Sequence, residues 1–193
     1  ELISELCCEA DSQNLIKGKT TKYKNGITKE EYELNNHKYF IIGTSNLVLS
    51  SISVKNSLIN AISVVIKKLA ASAKNVLIVG LGNRHISADS LGTETLKNII
   101  ATRNIVKSRV KVSAISTSVF GLTGIESADI VYSIKKHVKP DLVILVDSLC
   151  ANSYKTIGNC FQITTQVLSP GRGVGNNRKS LDNILKSTKV ISI

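Results

Sequence analysis

Apolar residues follow two spacings along this chain, and the two spacings alternate from about residue 54 onward. Apolar positions three and four residues apart are typical of amphipathic helices. They predict helices over residues 54–72, 90–107, 126–138 and about 179–186. Short continuous apolar runs are typical of strands buried on both faces of a parallel sheet. Such a run predicts a strand at residues 75–79, and further strands are predicted at residues 110–115, 141–146, 160–164 and 190–193.

Strands that alternate with helices predict an α/β fold, a three-layer sandwich around a mostly parallel, doubly wound sheet. Pro140 ends the helix before the third strand, because proline cannot continue a helix. Residues 37–50 have the composition of an extended segment interrupted at Gly43. Residues 1–36 are polar and weakly periodic, so they are expected to form an N-terminal arm. We predict a single domain over residues 1–193.

Composition narrows the class of protein. Apolar residues make up 42% of the chain and charged residues 20%, which is typical of a globular protein. The apolar runs are far shorter than the roughly 18–20 residues of a membrane helix, so no membrane association is expected. None of the four cysteines forms a C-x-x-C pair, which favours inert thiols in a reducing compartment over a metal site.

Charge is distributed unevenly. Residues 1–33 hold seven acids and five lysines, whereas residues 34–193 hold seven acids and twenty Lys or Arg, a net charge of +13. The excess is either a solvated lysine-rich surface or a patch that attracts an acidic partner. Aromatic residues make up 4% of the chain and tryptophan is absent, so direct nucleic-acid binding is not expected.

The loops after the predicted strands carry the candidate chemistry, because sites of open α/β sheets lie beyond the carboxyl ends of the strands. Asp147 ends the apolar strand 141–146, where partial desolvation would raise the pKa of its carboxyl group. Asp89 lies in the loop after strand 75–79. Two carboxylates that converge at one sheet edge could share a proton and activate water.

Each candidate also has a purely structural interpretation. Asp147 could cap nearby backbone amides, and Asp89 could be a helix N-cap. Glu126, at the start of a helix, is favoured there by the helix dipole. His85 is either an exposed loop residue or a polar or metal-binding group of a site. Neither a complete dinucleotide fingerprint nor a Walker loop occurs, so the glycines are expected to permit positive φ or close backbone approach.

Four motifs in these loops resemble the germination protease family of spore-forming bacteria. They are Gly80-Leu81-Gly82-Asn83 with Asp89-Ser90-Leu91-Gly92, Gly121-Leu122-Thr123-Gly124-Ile125-Glu126, Lys139-Pro140-Asp141 through Asp147-Ser148-Leu149, and Pro170-Gly171 through Gly173-Val174-Gly175-Asn176 with Arg178-Lys179. The resemblance covers roughly residues 75–193. Its four motifs stand in the family's order, which is more specific than any one of them.

The resemblance implies an endopeptidase that degrades small acid-soluble spore proteins during germination, in the cytoplasm of the spore core. It implies synthesis as a zymogen, removal of a propeptide that precedes the N-terminal arm, and a homotetramer. No cofactor and no metal is expected. The phosphorylase/hydrolase-like fold is shared with the hydrogenase-maturation proteases, in which acids near the same strand ends hold a metal. The family's two essential aspartates fall on Asp89 and Asp147.

We therefore expect Asp89 and Asp147 to activate water together. Residues of the loops would hold the oxyanion or the substrate, namely Asn83, Gly124, Glu126, Gly171, Arg172 and Arg178. One alternative is a metal-dependent protease with Asp89, Asp147 and His85 as ligands. The other is a non-catalytic family member that binds spore proteins, or nucleic acid, through its basic surface.

Overall fold

A computed structural model describes residues 18–47, 49–105, 107–151, 154, 156–168 and 179–193. These residues group into two compact units. Unit 1 is Glu1–Ala71 with Leu149–Thr165, and unit 2 is Ser72–Ser148 with Gln166–Ile193. The single domain over residues 1–193 stays a prediction.

The described strands of unit 1 are all paired antiparallel, in the order β1-β2-β3-β7. They are β1 (Lys19–Lys22), β2 (Thr28–Leu34), β3 (His37–Gly43) and β7 (Cys160–Thr164). Asn35 and Asn36, with φ of 51° and 64°, form the two-residue turn between β2 and β3. Such a turn needs two residues in the left-handed region, which asparagine tolerates better than most residues.

The predicted N-terminal arm is wrong for residues 19–34, which form β1 and β2. Most positions of β2 are polar, so its sequence carries little hydrophobic signal. Tyr32 is its buried position, and it pairs with the buried Tyr39 of β3. Pairing with β3, and not an apolar pattern of its own, therefore makes this segment a strand. The part of the arm before residue 18 lies outside the described residues.

The amphipathic helix of unit 1 is confirmed, as α1 (Ile52–Leu69). It begins after Ser51, whose hydroxyl accepts a hydrogen bond from the Val54 amide at 3.4 Å. Leu58 and Val65 are buried, as their spacing predicts. The extended segment at residues 37–50 is confirmed up to Gly43, where β3 ends.

The described strands of unit 2 are all parallel, in the order β8-β6-β4-β5. They are β4 (Asn75–Leu81), β5 (Lys111–Ser118), β6 (Leu142–Val146) and β8 (Lys189–Ser192). The helices of unit 2 are α2 (Leu91–Leu96), α3 (Phe120–Thr123), α4 (Ser127–Val138) and α5 (Asp182–Leu185). The predicted α/β class is confirmed, with the parallel pairing in this unit and antiparallel pairing in unit 1.

Two of the predicted helices of unit 2 are shorter than expected. The helix predicted over residues 90–107 ends at Leu96. Beyond it, the backbone amides of Thr102 and Arg103 donate to the Val112 oxygen at 3.0 and 3.1 Å, which ties this segment to β5. The last predicted helix is one turn long. By contrast, α4 matches its prediction and ends at Val138, with Lys139 as its C-cap directly before Pro140.

The winding of unit 2 creates a crevice at the carboxyl ends of β4 and β6. The chain passes from β4 to β5 on one side and then returns to β6 on the other side of β4. Right-handed crossovers therefore place α2 and α4 on opposite faces of the sheet. Ligands of such sheets bind at the point where the winding reverses. In the described part of the chain, no helix is long and apolar enough to cross a membrane.

Candidate active site

Asp147 stands directly after β6, half-buried at this crevice. The Ser148 amide donates a hydrogen bond to its Oδ1 at 2.8 Å, and its own amide donates to the Ile193 oxygen at 3.0 Å. Burial raises the pKa of the Asp147 carboxyl to about 6 from its ordinary value of 3.8. The Ser148 hydrogen bond lowers this pKa, and the negative charge of Asp89 raises it further.

Asp89 ends a short 3₁₀ helix, Ser87–Asp89, in the loop between β4 and α2. Its Oδ2 accepts a hydrogen bond from the Asn83 amide at 2.8 Å, so the carboxylate reaches back across the loop. The N-cap position of α2 belongs to Ser90. The helix-cap interpretation of Asp89 is therefore replaced by one in which Asp89 closes its own loop.

Glycines allow this loop and α2 to lie directly against the strand ends. A Cβ at Gly82, where φ is +93°, would lie 2.1 Å from the backbone oxygen of Asp89. A Cβ at Gly92 would lie 2.3 Å from the Val146 oxygen, and one at Gly80 would lie 2.3 Å from the Gly92 oxygen. No side chain fits at these distances, which confirms the expectation of positive φ and close approach. Apart from its place in the first motif, nothing in the sequence predicted that Gly92 packs against the strand ends.

The two aspartates follow neighbouring strands. β4 and β6 pair in parallel, with Gly80 opposite Val146, so the loops that follow them emerge side by side. The charge of Asp89 acts on Asp147 strongly enough to raise its pKa. The two carboxylates therefore interact electrostatically at this crevice.

Comparison with known proteins decides the family. The sequence model of the germination protease family matches residues 12–193. The chain belongs to the germination protease family. A germination protease of Caldanaerobacter subterraneus subsp. tengcongensis is 34% identical over 165 residues, which are 80% of this chain and 51% of that protein. One of Bacillus mycoides is 40% identical over 125 residues, 61% of this chain and 34% of that protein.

This member of the germination protease family therefore spans between about a third and a half of the length of these relatives. A solved structure of the [NiFe] hydrogenase maturation protease HycI from Thermococcus kodakarensis is also similar. It matches with a TM-score of 0.45 and 16% sequence identity, over 66% of this chain and 77% of that one.

Three other predicted site residues lie in the same loops as the dyad or in the loop after β5. Asn83 uses its amide for Asp89, and its Oδ1 accepts from the His85 amide at 2.9 Å. Gly124 takes the left-handed conformation that ends α3, and its amide donates to the Phe120 oxygen at 2.7 Å. Glu126 occupies the N-cap position of α4 and is half-buried.

The engaged amides of Asn83 and Gly124 are not free to bind an oxyanion. The Nδ2 group of Asn83 has no acceptor among the residues that the structure describes, so it is one donor that this loop still offers. Gly171, Arg172 and Arg178 lie outside the described residues.

The metal-dependent alternative calls for a third ligand beside the two aspartates. His85 is exposed, and within the described ranges no three His, Cys, Asp or Glu side chains converge as a metal site would require. Structural zinc and catalytic zinc both take at least three protein ligands. The metal-dependent protease stays an alternative, and experiment separates it from the acid dyad.

Proposed function

We propose that this chain carries the catalytic site of an endopeptidase that degrades small acid-soluble spore proteins during germination. The observation that carries the proposal is the pairing of Asp89 and Asp147 at adjacent strand ends, with the pKa of Asp147 raised to about 6. General acids and bases work best with pKa values near the operating pH, and pairs whose environments differ divide the two roles. Membership of the germination protease family supports the same reading.

Hydrogen bonds suggest how the two roles are divided. Asp147 receives the Ser148 amide on Oδ1, which leaves Oδ2 to hold the shared proton. Asp89 receives the Asn83 amide on Oδ2, so we assign its Oδ1 to the attacking water. The Asp89 carboxylate takes a proton as water attacks the peptide carbonyl. Asp147 gives its proton to the carbonyl oxygen, where the Asn83 Nδ2 group assists.

Collapse of the tetrahedral intermediate then breaks the C–N bond. The amine leaves with the proton held by Asp89, and the hydroxyl proton returns to Asp147, so the dyad is restored. This division requires a protonated Asp147, so kcat/KM, which reports the free enzyme, should fall as the pH rises through about 6. A kcat/KM that rises through this pH would assign the role of base to Asp147.

The substrate class is supported by charge. Residues 34–193 carry a net charge of +13, a surface that attracts acidic proteins. Arg84, in the loop that holds Asp89, is exposed and has no ion pair with any described residue. We place Arg172 and Arg178 in the same role from their motif. We do not propose that the chain binds nucleic acid directly.

The test is incubation of the purified full-length protein with a small acid-soluble spore protein, followed by mass spectrometry of the fragments. Wild type should cleave it, whereas Asp89→Asn and Asp147→Asn should lose at least about a thousandfold in rate, since each removes half of the dyad. Asp129→Asn, an exposed aspartate of α4, is the matched control and should keep full activity. Full activity in both dyad variants would refute the mechanism.

Two further measurements separate the alternatives. Loss of activity with a chelator, together with a stoichiometric metal found by elemental analysis, would favour the metal-dependent protease. Tight binding of the spore protein without turnover, unchanged in Asp147→Asn, would favour a non-catalytic binder.

The remaining properties of the proposal come from family membership. We propose synthesis as a zymogen with a propeptide that is later removed, assembly into a homotetramer, and action in the cytoplasm of the spore core. Sequencing of the N-terminus of the protein isolated from spores tests the processing. Light scattering at working concentration tests the homotetramer.

A further inference from the structure

The strand β5 forms one margin of the parallel strands of unit 2, with β4 on its inner side. Among the described residues, the backbone hydrogen bonds on its outer side are made at Val112. The Val112 oxygen accepts from the Thr102 and Arg103 amides, and the Val112 amide donates to the Thr102 hydroxyl at 3.0 Å. The backbone groups of Val112 therefore point away from β4.

Backbone groups of a strand alternate in direction, so those of Ala114 and Ser116 point outward with those of Val112. Neither residue has an outer backbone partner among the described residues. Ala114 is exposed and small, which leaves room for a chain beside it. An unpaired edge of this kind is a template for another extended segment.

The unpaired edge leads to the dyad. β5 runs parallel to β4, and Ser118 at its carboxyl end lies opposite Leu81, next to the Gly82 turn that precedes Asp89. A chain laid along Ala114 and Ser116 would thus run to the end of the sheet at which the two aspartates lie. Peptide recognition by strand addition uses such an edge for affinity and neighbouring pockets for side-chain selection.

A cavity lies where such a pocket is needed. It has a volume of about 330 Å³ and lies between α2, the Asp89 loop and β5. Its lining includes Arg84, Lys97 and Ser116, and the Ser116 hydroxyl is buried without a hydrogen-bond partner in the described structure. Lys97 is paired with Glu94 at 2.6 Å, so Arg84 and the Ser116 hydroxyl are the donors still available. They suit a side chain that accepts hydrogen bonds.

We propose that the outer edge of β5 binds an extended segment of the protein substrate as an added strand and guides it to the dyad. The proposal rests on the proposed function, since it supplies the binding mode for that reaction. One side chain of the added strand enters the cavity beside Ser116.

Proline substitution tests the edge from the side of the protein. Ala114→Pro removes an outward amide donor, and an edge strand tolerates proline where no ladder bond is lost. We expect KM to rise about three- to tenfold with kcat within about twofold, the effect of one lost hydrogen bond. Ile115→Pro, one residue on, removes a bond to β4 and should instead unfold the strand. An Ala114→Pro variant that folds and keeps the KM of wild type would overturn the proposal.

Modified substrates test the edge with the protein intact. Peptides that span a cleaved site are N-methylated at one amide at a time, and KM is measured for each. An added strand predicts that sensitivity alternates, with loss at every second amide and little effect at the amides between them. Equal sensitivity at all amides, or at none, would contradict strand addition.

Hydrogen exchange separates this proposal from the proposed function, because it needs no turnover. The Asp147→Asn variant is mixed with a small acid-soluble spore protein, and exchange is followed for the amides of Ala114 and Ser116. Protection that appears on mixing supports the proposal even if wild type cleaves nothing. Cleavage by wild type without this protection would overturn the edge and leave the dyad intact. Protection that depends on protein concentration alone would give the edge to a second copy and also overturn the proposal.

Discussion

Replacing Asp147 with asparagine should remove activity and at the same time stabilise the protein at neutral pH. The folded state holds this carboxyl with a pKa of about 6 against an ordinary value of 3.8. At about 1.4 kcal/mol for each pKa unit, ionising the carboxyl in the folded state costs about 3 kcal/mol. Asparagine has no charge to bury, and its side-chain oxygen can still accept the Ser148 amide that now bonds Oδ1.

The pH dependence gives the sign of this effect. The folded wild type binds the Asp147 proton more tightly than the unfolded chain, so the contribution of this carboxyl to stability is highest below pH 3.8 and falls as the pH rises from there to about 6. The difference in the free energy of unfolding between Asp147→Asn and wild type should therefore be near zero at pH 3.8 and lower. It should grow to about 3 kcal/mol in favour of the variant at pH 7.5.

Equilibrium urea unfolding, followed by circular dichroism between pH 3.5 and pH 7.5, measures this difference. Asp129→Asn is the matched control, because its carboxylate is half-exposed and pairs with Lys179 at the surface. Its effect should stay within about 1 kcal/mol at every pH. A variant Asp147→Asn that is no more stable than wild type at pH 7.5, or a difference that does not change with pH, would refute the reasoning.

Three further predictions concern the surroundings of the dyad. Asp89→Asn should lower the pKa of Asp147 below about 6, because the negative charge of Asp89 is one cause of the raised pKa. Carbon-13 NMR titration of the Asp147 carboxyl measures this pKa. An unchanged pKa would place the two groups out of contact. Gly92→Ala should abolish activity, because the added Cβ would push α2 away from the strand ends. Gly121→Ala, whose added Cβ would have nothing within 4 Å, should unfold at the same temperature as wild type. Asp141→Ala should lower the free energy of unfolding by about 1–3 kcal/mol in thermal unfolding, because the Asp141 carboxylate accepts hydrogen bonds from backbone amides at the opposite end of β4. The specific activity of the folded enzyme should persist. A loss of activity without a loss of stability would contradict this.

The strands of unit 2 and the helices α1 and α4 could be predicted because burial on a regular face leaves a regular apolar pattern. Residues 76–79 and 142–146 are continuous apolar runs, and they lie in strands whose residues are mostly buried. β1 and β2 could not be predicted in this way. Their positions are largely polar, and pairing with β3 rather than burial holds them extended. The end of α2 was equally hidden, because it depends on hydrogen bonds to Val112, a residue of another element.

The sequence by itself determined which acids are the candidates for the site. Asp89 and Asp147 follow strand-forming runs in a chain that has seven acids after residue 33, and their motifs identify the family. Only the tertiary structure decided that the loops of β4 and β6 lie side by side, since strand order depends on how the chain crosses the sheet. It also decided that Asp147 is the carboxyl with the raised pKa, because desolvation is a property of the packed surroundings and not of the residue.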